Sequence, residues 1–312
     1  MTIPNFVMVR IVCQLLSVRA SAFLAAGQPD EALKDLRVIY RFSDALASHH
    51  TLVAAMIRVA IQGLALGPVW EGWAAGTWKR EHYAEIRKLL EPVDLLTSVH
   101  TSMNGGERAG VHYIVENYPG KQIAGLFIGL GDGRKWRDFL GRYTKHSLLS
   151  AMPRGWWWRN LIVYDTLMRE LIAGVDPVKQ RIFPGVTKVV PIEETAQKHP
   201  IFGMLCGMAI PNFNKAITVA GRNQNLVNFA ILVCALETQQ METGSYPDKL
   251  EALAPARLAK LPHDLVSGAP LHYEKTAGGG FRLYAVGANG TDDGGILTTD
   301  AAQGDWVWPE KF

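Results

Sequence analysis

Apolar positions between Asn5 and about Gly174 recur three and four residues apart, the signature of helices that bury one face. Gly and Pro separate the periodic runs. Phe6 to Ala26 reads as one helix, Gly27-Gln28-Pro29 as a turn, and Asp30 to Ala47 as the returning helix. Pro29 and Asp30 suit a first helical turn, where the missing N–H is not needed and a carboxylate meets the positive dipole end. Further helices are expected over Thr51–Ala75, Trp78–Glu91, Val93–Met103, from after Asn104-Gly105-Gly106 to about Asn117, Lys135–Ser150 and Trp156–Ala173. Pro92 ends the helix Trp78–Glu91, the fourth of the chain, and Asn104-Gly105-Gly106 is read as the break between the fifth and sixth.

The pattern changes twice after that. Pro177 to Pro191 is a link punctuated by Pro and Gly, with a short β-like run at Val186–Val190, and helix resumes near Ile192. Pro211 to Thr243 is a long helix, apolar on most sides, with Leu226, Phe229, Val233 and Leu236 on one stripe and Ala230 and Cys234 widening it. After Gly244 turn residues multiply. Pro270–Lys275 and Phe281–Val286 read as strands of a hairpin whose loop is Thr276 to Gly280. The expected organisation is a helical-hairpin domain over 1–176, a connecting segment over 177–210, and a small α+β module over 211–312. The fold class is mainly α.

Composition alters this picture only through its distribution. The 32 basic and 29 acidic residues give a net charge of +3, which does not suggest a nucleic-acid binder. The near-neutral sum averages two opposites: from Asn225 on the chain carries −5, and the rest +8. Cys13, Cys206 and Cys234 lie far apart in apolar stretches and read as small core residues. No uninterrupted apolar run reaches the ~18–20 residues of a membrane span, so no transmembrane span is expected. The nearest, Thr51–Trp70, carries Arg58 and Gln62 four apart, a narrow polar stripe on a helix read as buried. Arg10 and Arg19 interrupt the first helix and argue against a signal peptide. An upstream extension of the gene is a further expectation.

Motifs for chemistry are sparse. Gly125 to Lys135 is Gly-rich and ends in Arg134-Lys135, but Trp136 stands where a Walker loop needs Ser or Thr, so a turn between helices is expected. The nine histidines show no HExxH or other ligand spacing, and read as ordinary surface or half-buried side chains. Trp156-Trp157-Trp158 covers more than half a helix circumference. The reading is a helix wedged between two layers, with an interface or a membrane-surface anchor as the alternative.

Two resemblances add to this. Ala20, Phe23, Gly27, Ala32, Leu36 and Ile39 sit at the spacing of a tetratricopeptide repeat, and Leu16–Ile39 resembles one such repeat. Arg19 and Asp44 depart from that pattern. A stack of hairpins would bind a protein or peptide on its concave face. In the second half, Glu242-Thr243-Gly244-Ser245-Tyr246-Pro247 is followed by Leu250 and Leu253, then Leu261-Pro262-His263-Asp264 with Gly268, Pro270 and Tyr273. Leu283-Tyr284-Ala285-Val286-Gly287-Ala288-Asn289-Gly290, Asp292-Asp293-Gly294-Gly295, Asp300 and Asp305-Trp306 complete the series. In this order, residues 237–308 resemble the soluble domain of the type II secretion major pseudopilin. The resemblance implies a calcium ion on a C-terminal loop, with Asp292, Asp293, Asp300 and Asp305 as carboxylate ligands and Leu283 as a carbonyl donor. Ala285 stands where that family has a serine ligand. The resemblance also implies that Trp306 packs under the acidic loop, and that Tyr246-Pro247 turns the sheet back onto the long helix. Because that helix follows a large helical domain, the chain is not expected to be processed or polymerised as a pilin.

The function expected is a non-enzymatic scaffold or interaction protein of the bacterial cell envelope, with an unidentified protein partner, no nucleic acid, and calcium as the one candidate ion. An enzyme with a pocket between the domains, or a degenerate member without independent activity, are the alternatives.

Overall fold

The computed structural model describes residues 5–128, 150–184, 204–298 and 303–309. The chain is mainly helical, with a small sheet near its C-terminus. It opens with α1 (Phe6–Ala25) and α2 (Pro29–Ala47), the expected hairpin, closed by Gly27 at φ +70°. Fully buried Ala20 and Ala32 let the two helices approach. Helix α3 (Leu52–Ala74) packs on both. Thr51 caps it, its side chain accepting from the amide of Ala54.

Arg58 and Gln62 do point inward, at 5% and 0% exposure. Gln62 Nε2 donates to Ser43 Oγ at 2.8 Å, and Arg58 donates to the Asp94 carbonyl at 3.1 Å and to Ser98 Oγ. The polar stripe of α3 thus joins α2 to α5 (Leu95–Thr101). Between α3 and α5 lies α4 (Arg80–Leu90).

The expected break at Asn104-Gly105-Gly106 is not one. A π-helical turn over Ser102–Arg108 carries α5 directly into α6 (Ala109–Asn117). The reason is visible at Gly106: a Cβ there would lie 1.8 Å from the His50 carbonyl oxygen, whereas Gly105 faces open space. Gly106 serves close backbone approach, not chain reversal. Helix α7 (Gly120–Ile128) follows, and then α8 (Arg154–Ala173). The helix expected at 135–150 lies outside the described residues save at its last position. So do the run 186–190, the restart near Ile192, and Gly129 to Lys135 of the Gly-rich stretch.

The link begins beside a regular element. Strands β1 (Val175–Asp176) and β2 (Arg181–Ile182) form a two-stranded hairpin. It is tied to the C-terminal part, with the Ile182 amide donating to the Leu265 carbonyl at 2.8 Å and Arg181 Nη2 to the Val266 carbonyl at 2.6 Å. Helix α9 (Met204–Thr243) begins seven residues earlier than Pro211. From Val227 to Leu236 it is buried on nearly every side, as a helix apolar all round must be. It packs on α3, α4, α5 and α8, and on the C-terminal sheet.

That sheet has the order β3 (His272–Lys275), β4 (Phe281–Ala285), β5 (Trp306–Trp308), all antiparallel. The expected hairpin is β3–β4, with its loop closed by the Thr276 amide on the Gly280 carbonyl. Strand β5 was not expected, because three residues show no measurable period. Its register sets Trp306 against Ala285 and Trp308 against Leu283. Phe281, Leu283, Trp306 and Trp308 are buried in the same core as α9.

Candidate functional site

Three clusters of polar side chains warrant comparison. The first joins the two parts. Glu237 lies on α9 among apolar neighbours and is 4% exposed. One of its oxygens, Oε1, accepts from the Trp73 indole N–H at 2.6 Å and from the Tyr246 hydroxyl at 2.6 Å. Trp73 belongs to α3 and Tyr246 to the turn after α9, so one carboxylate oxygen binds three segments. Burial, and then the bond to Glu237, push the Tyr246 hydroxyl well above its ordinary pKa. Tyr246 also stacks edge-on with Phe281 of β4 at 5.0 Å. The turn does bring the sheet onto the long helix. Nearby, Arg80 and Arg257 both pair with Glu242 at 2.5 Å.

The second cluster is the acidic end of the C-terminal module. Asp264, fully buried, accepts from the amides of Val266 and Ser267 on one oxygen and of Val286 on the other. Asp305, 3% exposed, does the same for the loop above it. Its Oδ2 accepts from the amides of Asp293 at 3.0 Å and Gly295 at 2.7 Å. These two acids organise backbone, as buried carboxylates must if their charge is to be compensated. Asp293 Oδ2 accepts from Asn289 Nδ2 at 2.8 Å. Asp292 is exposed, accepts from the Gly294 amide, and lies 3.7 Å from His272 Nε2. Leu283 sits mid-sheet, paired with Tyr273 on one side and Trp308 on the other, so its carbonyl lies in the plane of the ladder. Asp300 lies outside the described residues. Trp306 is buried, and its neighbour Asp305 is the residue seen to tie the loop down.

Calcium suits this donor set in kind, since every side chain offers oxygen. Asp305 Oδ1 is buried without a hydrogen-bond partner, which is where a cation would find an acceptor. The set is short in number: among the described residues no three His, Cys, Asp or Glu side chains converge as metal ligands.

The third cluster was missed by sequence reasoning. Asp165 of α8 accepts from Arg108 Nε at 2.5 Å, His112 Nε2 at 2.9 Å and Arg169 Nε at 2.8 Å. Burial opposes ionisation, but these three donors prevail and hold the carboxyl at about 2. Arg108 stands at the end of the π-helical turn, a kind of distortion that often marks functional positions. The cleft here, about 560 Å3, is lined by His112, Trp158, Leu161, Ile162 and Asp165, among others. Asp165 is too acidic and too fully engaged to serve as a base near neutral pH. The one available signal was the Asp165–Arg169 spacing of four on a helix.

The triple tryptophan divides its roles. Trp157 is fully buried, its indole where a Gly120 Cβ would be 2.9 Å away. Trp156 meets it edge-on at 4.9 Å, and Trp158 is 39% exposed on the cleft wall. Cys13 and Cys234 are buried free thiols, Cys13 pushed up to about 11 by burial. Among the described residues two helices, α1 and α3, are long and apolar enough to cross a membrane by length and composition alone. In the span-length window of α3 56% of residues are buried inside the protein, in that of α1 only 17%.

No family model, no curated protein and no solved structure matches the chain.

Proposed function

We propose that the chain is a non-enzymatic interaction protein of the bacterial cell envelope. Its helical part supplies a docking face, and its pseudopilin-like C-terminal module is a rigid head whose acidic loop holds calcium. The observation that carries this reading is the outer face of α1. Val7, Met8, Leu15 and Val18 are each more than half exposed, and Ile11 and Val12 are 43% and 36% exposed. A contiguous apolar patch on the surface of a folded protein marks an interaction site. The packing of α9 against both parts supports the role of a fixed head: from Val227 to Leu236 the long helix is buried inside the protein, so this stretch is not offered to a filament. A photo-reactive residue placed at Leu15 in the native cell tests the reading. Covalent adducts with protein are expected, in the envelope fraction. Their absence at Leu15 and at Val18 would remove the docking face.

A further inference from the structure

The geometry points to a second copy of this chain as the occupant of the outer face of α1, bound helix against helix. The inference rests on the docking face just described and names its partner. Met8, Ile11, Leu15 and Val18 are spaced three, four and three residues apart, and Ala22 continues the series. Those positions form the seam of a two-helix contact, and exposed Val7 and Val12 flank it. The domain already uses the other side of α1, where Cys13, Ser17, Ala20 and Leu24 are buried and the Ser17 hydroxyl donates to the Leu64 carbonyl at 2.8 Å.

The seam is centred on Leu15 and is self-complementary. In an antiparallel pair Leu15 meets Leu15 of the other copy, Ile11 meets Val18, and Met8 meets small Ala22. The central pairs are branched aliphatic on branched aliphatic, and the unbranched Met8 side chain fills the space over Ala22. The six exposed side chains present roughly 500 Å2 of apolar surface. Two copies together remove at most about 1,000 Å2, the lower bound for a biological contact and the size of a weak, concentration-dependent one. A two-fold pair is also the commonest closed assembly, because one patch serves both sides. Charge does not oppose it. Helix α1 has no acidic residue, and Arg19 beside the seam is already paired with Asp35, at 2.6 Å and 2.8 Å. Arg10, turned away from the seam centre, stays in solvent. A lipid surface is the weaker occupant, since helices that lie on membranes carry several Lys or Arg on their polar face, and α1 has Arg10 and Arg19 only.

The test is sedimentation velocity of the full chain over about 1–100 µM, beside Leu15→Glu and Ile11→Glu variants. The expected result is a species of twice 34.4 kDa in the unsubstituted protein. Either glutamate should weaken its association by roughly 100-fold or more, since it buries a charge in an apolar seam. Both positions are exposed, so circular dichroism of the variants should match the parent. A Leu15→Cys variant should form a disulfide-linked dimer on mild oxidation. A monomer at 100 µM, or a dimer that survives both glutamates, overturns the inference. Flotation of the monomer with anionic vesicles, abolished by Leu15→Glu, would assign the face to lipid and also overturn it. In the cell, Leu15 adducts to some other protein and none at twice the chain mass would end the inference while leaving the docking-face reading in place.

Discussion

Removing the carboxylate of Glu237 should loosen the whole molecule, although the residue touches no surface. In Glu237→Ala two short bonds to an anionic acceptor disappear, from the Trp73 indole and from the Tyr246 hydroxyl. A hydrogen bond to a charged group contributes about 1.5–3 kcal/mol, so the pair is worth roughly 3–6 kcal/mol before any cavity is counted. Glu237→Gln keeps an oxygen acceptor and forfeits only the charge, so it should cost about 1–2 kcal/mol. Tyr246→Phe removes one donor and should fall near 1–2 kcal/mol. Equilibrium unfolding in guanidinium, followed by tryptophan fluorescence and by far-UV circular dichroism, measures all three. Because Glu237 joins α3, α9 and the turn into the sheet, the two probes should coincide in the parent and separate in Glu237→Ala. A double-mutant cycle between Glu237→Gln and Tyr246→Phe should show a coupling of about 1 kcal/mol or more. If Glu237→Ala costs under about 1 kcal/mol, or its two probes remain superimposed, the carboxylate is not what joins the parts.

Acid should selectively weaken the α6–α8 contact. Asp165 has a folded pKa below its unfolded value, so its contribution is complete above the unfolded pKa and lost as pH falls through the folded one, from about pH 4 to pH 2, at roughly 1–2 kcal/mol. Asp165→Asn should flatten that stretch of the urea-midpoint profile, and an unchanged acid loss in the variant would contradict the assignment. The adjacent glycines should behave oppositely: Gly106→Ala collides with the His50 carbonyl and should cost about 2–3 kcal/mol, while Gly105→Ala meets nothing and should be neutral or stabilising by about 0.5–1 kcal/mol. Thermal melts of the two variants suffice, and equal effects would refute the close-approach argument. For the acidic loop, Asp305→Ala should cost about 2–3 kcal/mol through the amides of Asp293 and Gly295. Millimolar calcium should raise the melting temperature of the parent and not of Asp305→Asn, and a parent unmoved by calcium would remove the ion from the proposal.

Much of the helical part was legible because period and punctuation act locally. The α1–α2 hairpin follows from the spacing of Ala20, Phe23, Ala32 and Leu36 with Gly27 between, and each contributes within its own turn. The inward polar stripe of α3 was equally readable, since Arg58 and Gln62 must share a face at a spacing of four. The failure at Gly105-Gly106 has the opposite cause. A glycine pair has the same local grammar whether it ends a helix or admits a neighbouring backbone, and only the position of His50, distant in sequence, decides between them. Strand β5 was invisible for a related reason. Its order comes from pairing with β4 across the Asp-rich loop, not from any pattern in Trp306–Trp308 itself.

Charge was harder to read than shape. Asp292, Asp293, Asp300 and Asp305 were grouped as calcium ligands because the pseudopilin resemblance implies it. Of these Asp305 is buried and spends one oxygen on backbone amides, and Asp264, which was not in that group, does so with both. Such a carboxylate fixes a loop that is too short and glycine-rich to fix itself. It also leaves the loop poised, since Asp305 holds it through Oδ2 while Oδ1 has no protein partner. Glu237 follows the same logic. A lone acid in a helix that is apolar all round has no reason to survive burial unless donors converge on it, and Tyr246, nine residues on, was the readable half of that pair. Trp73 was not, being 164 residues away. What sequence conveys about buried charge is therefore that a partner must exist, and what the fold adds is that here the partner belongs to the other half of the chain.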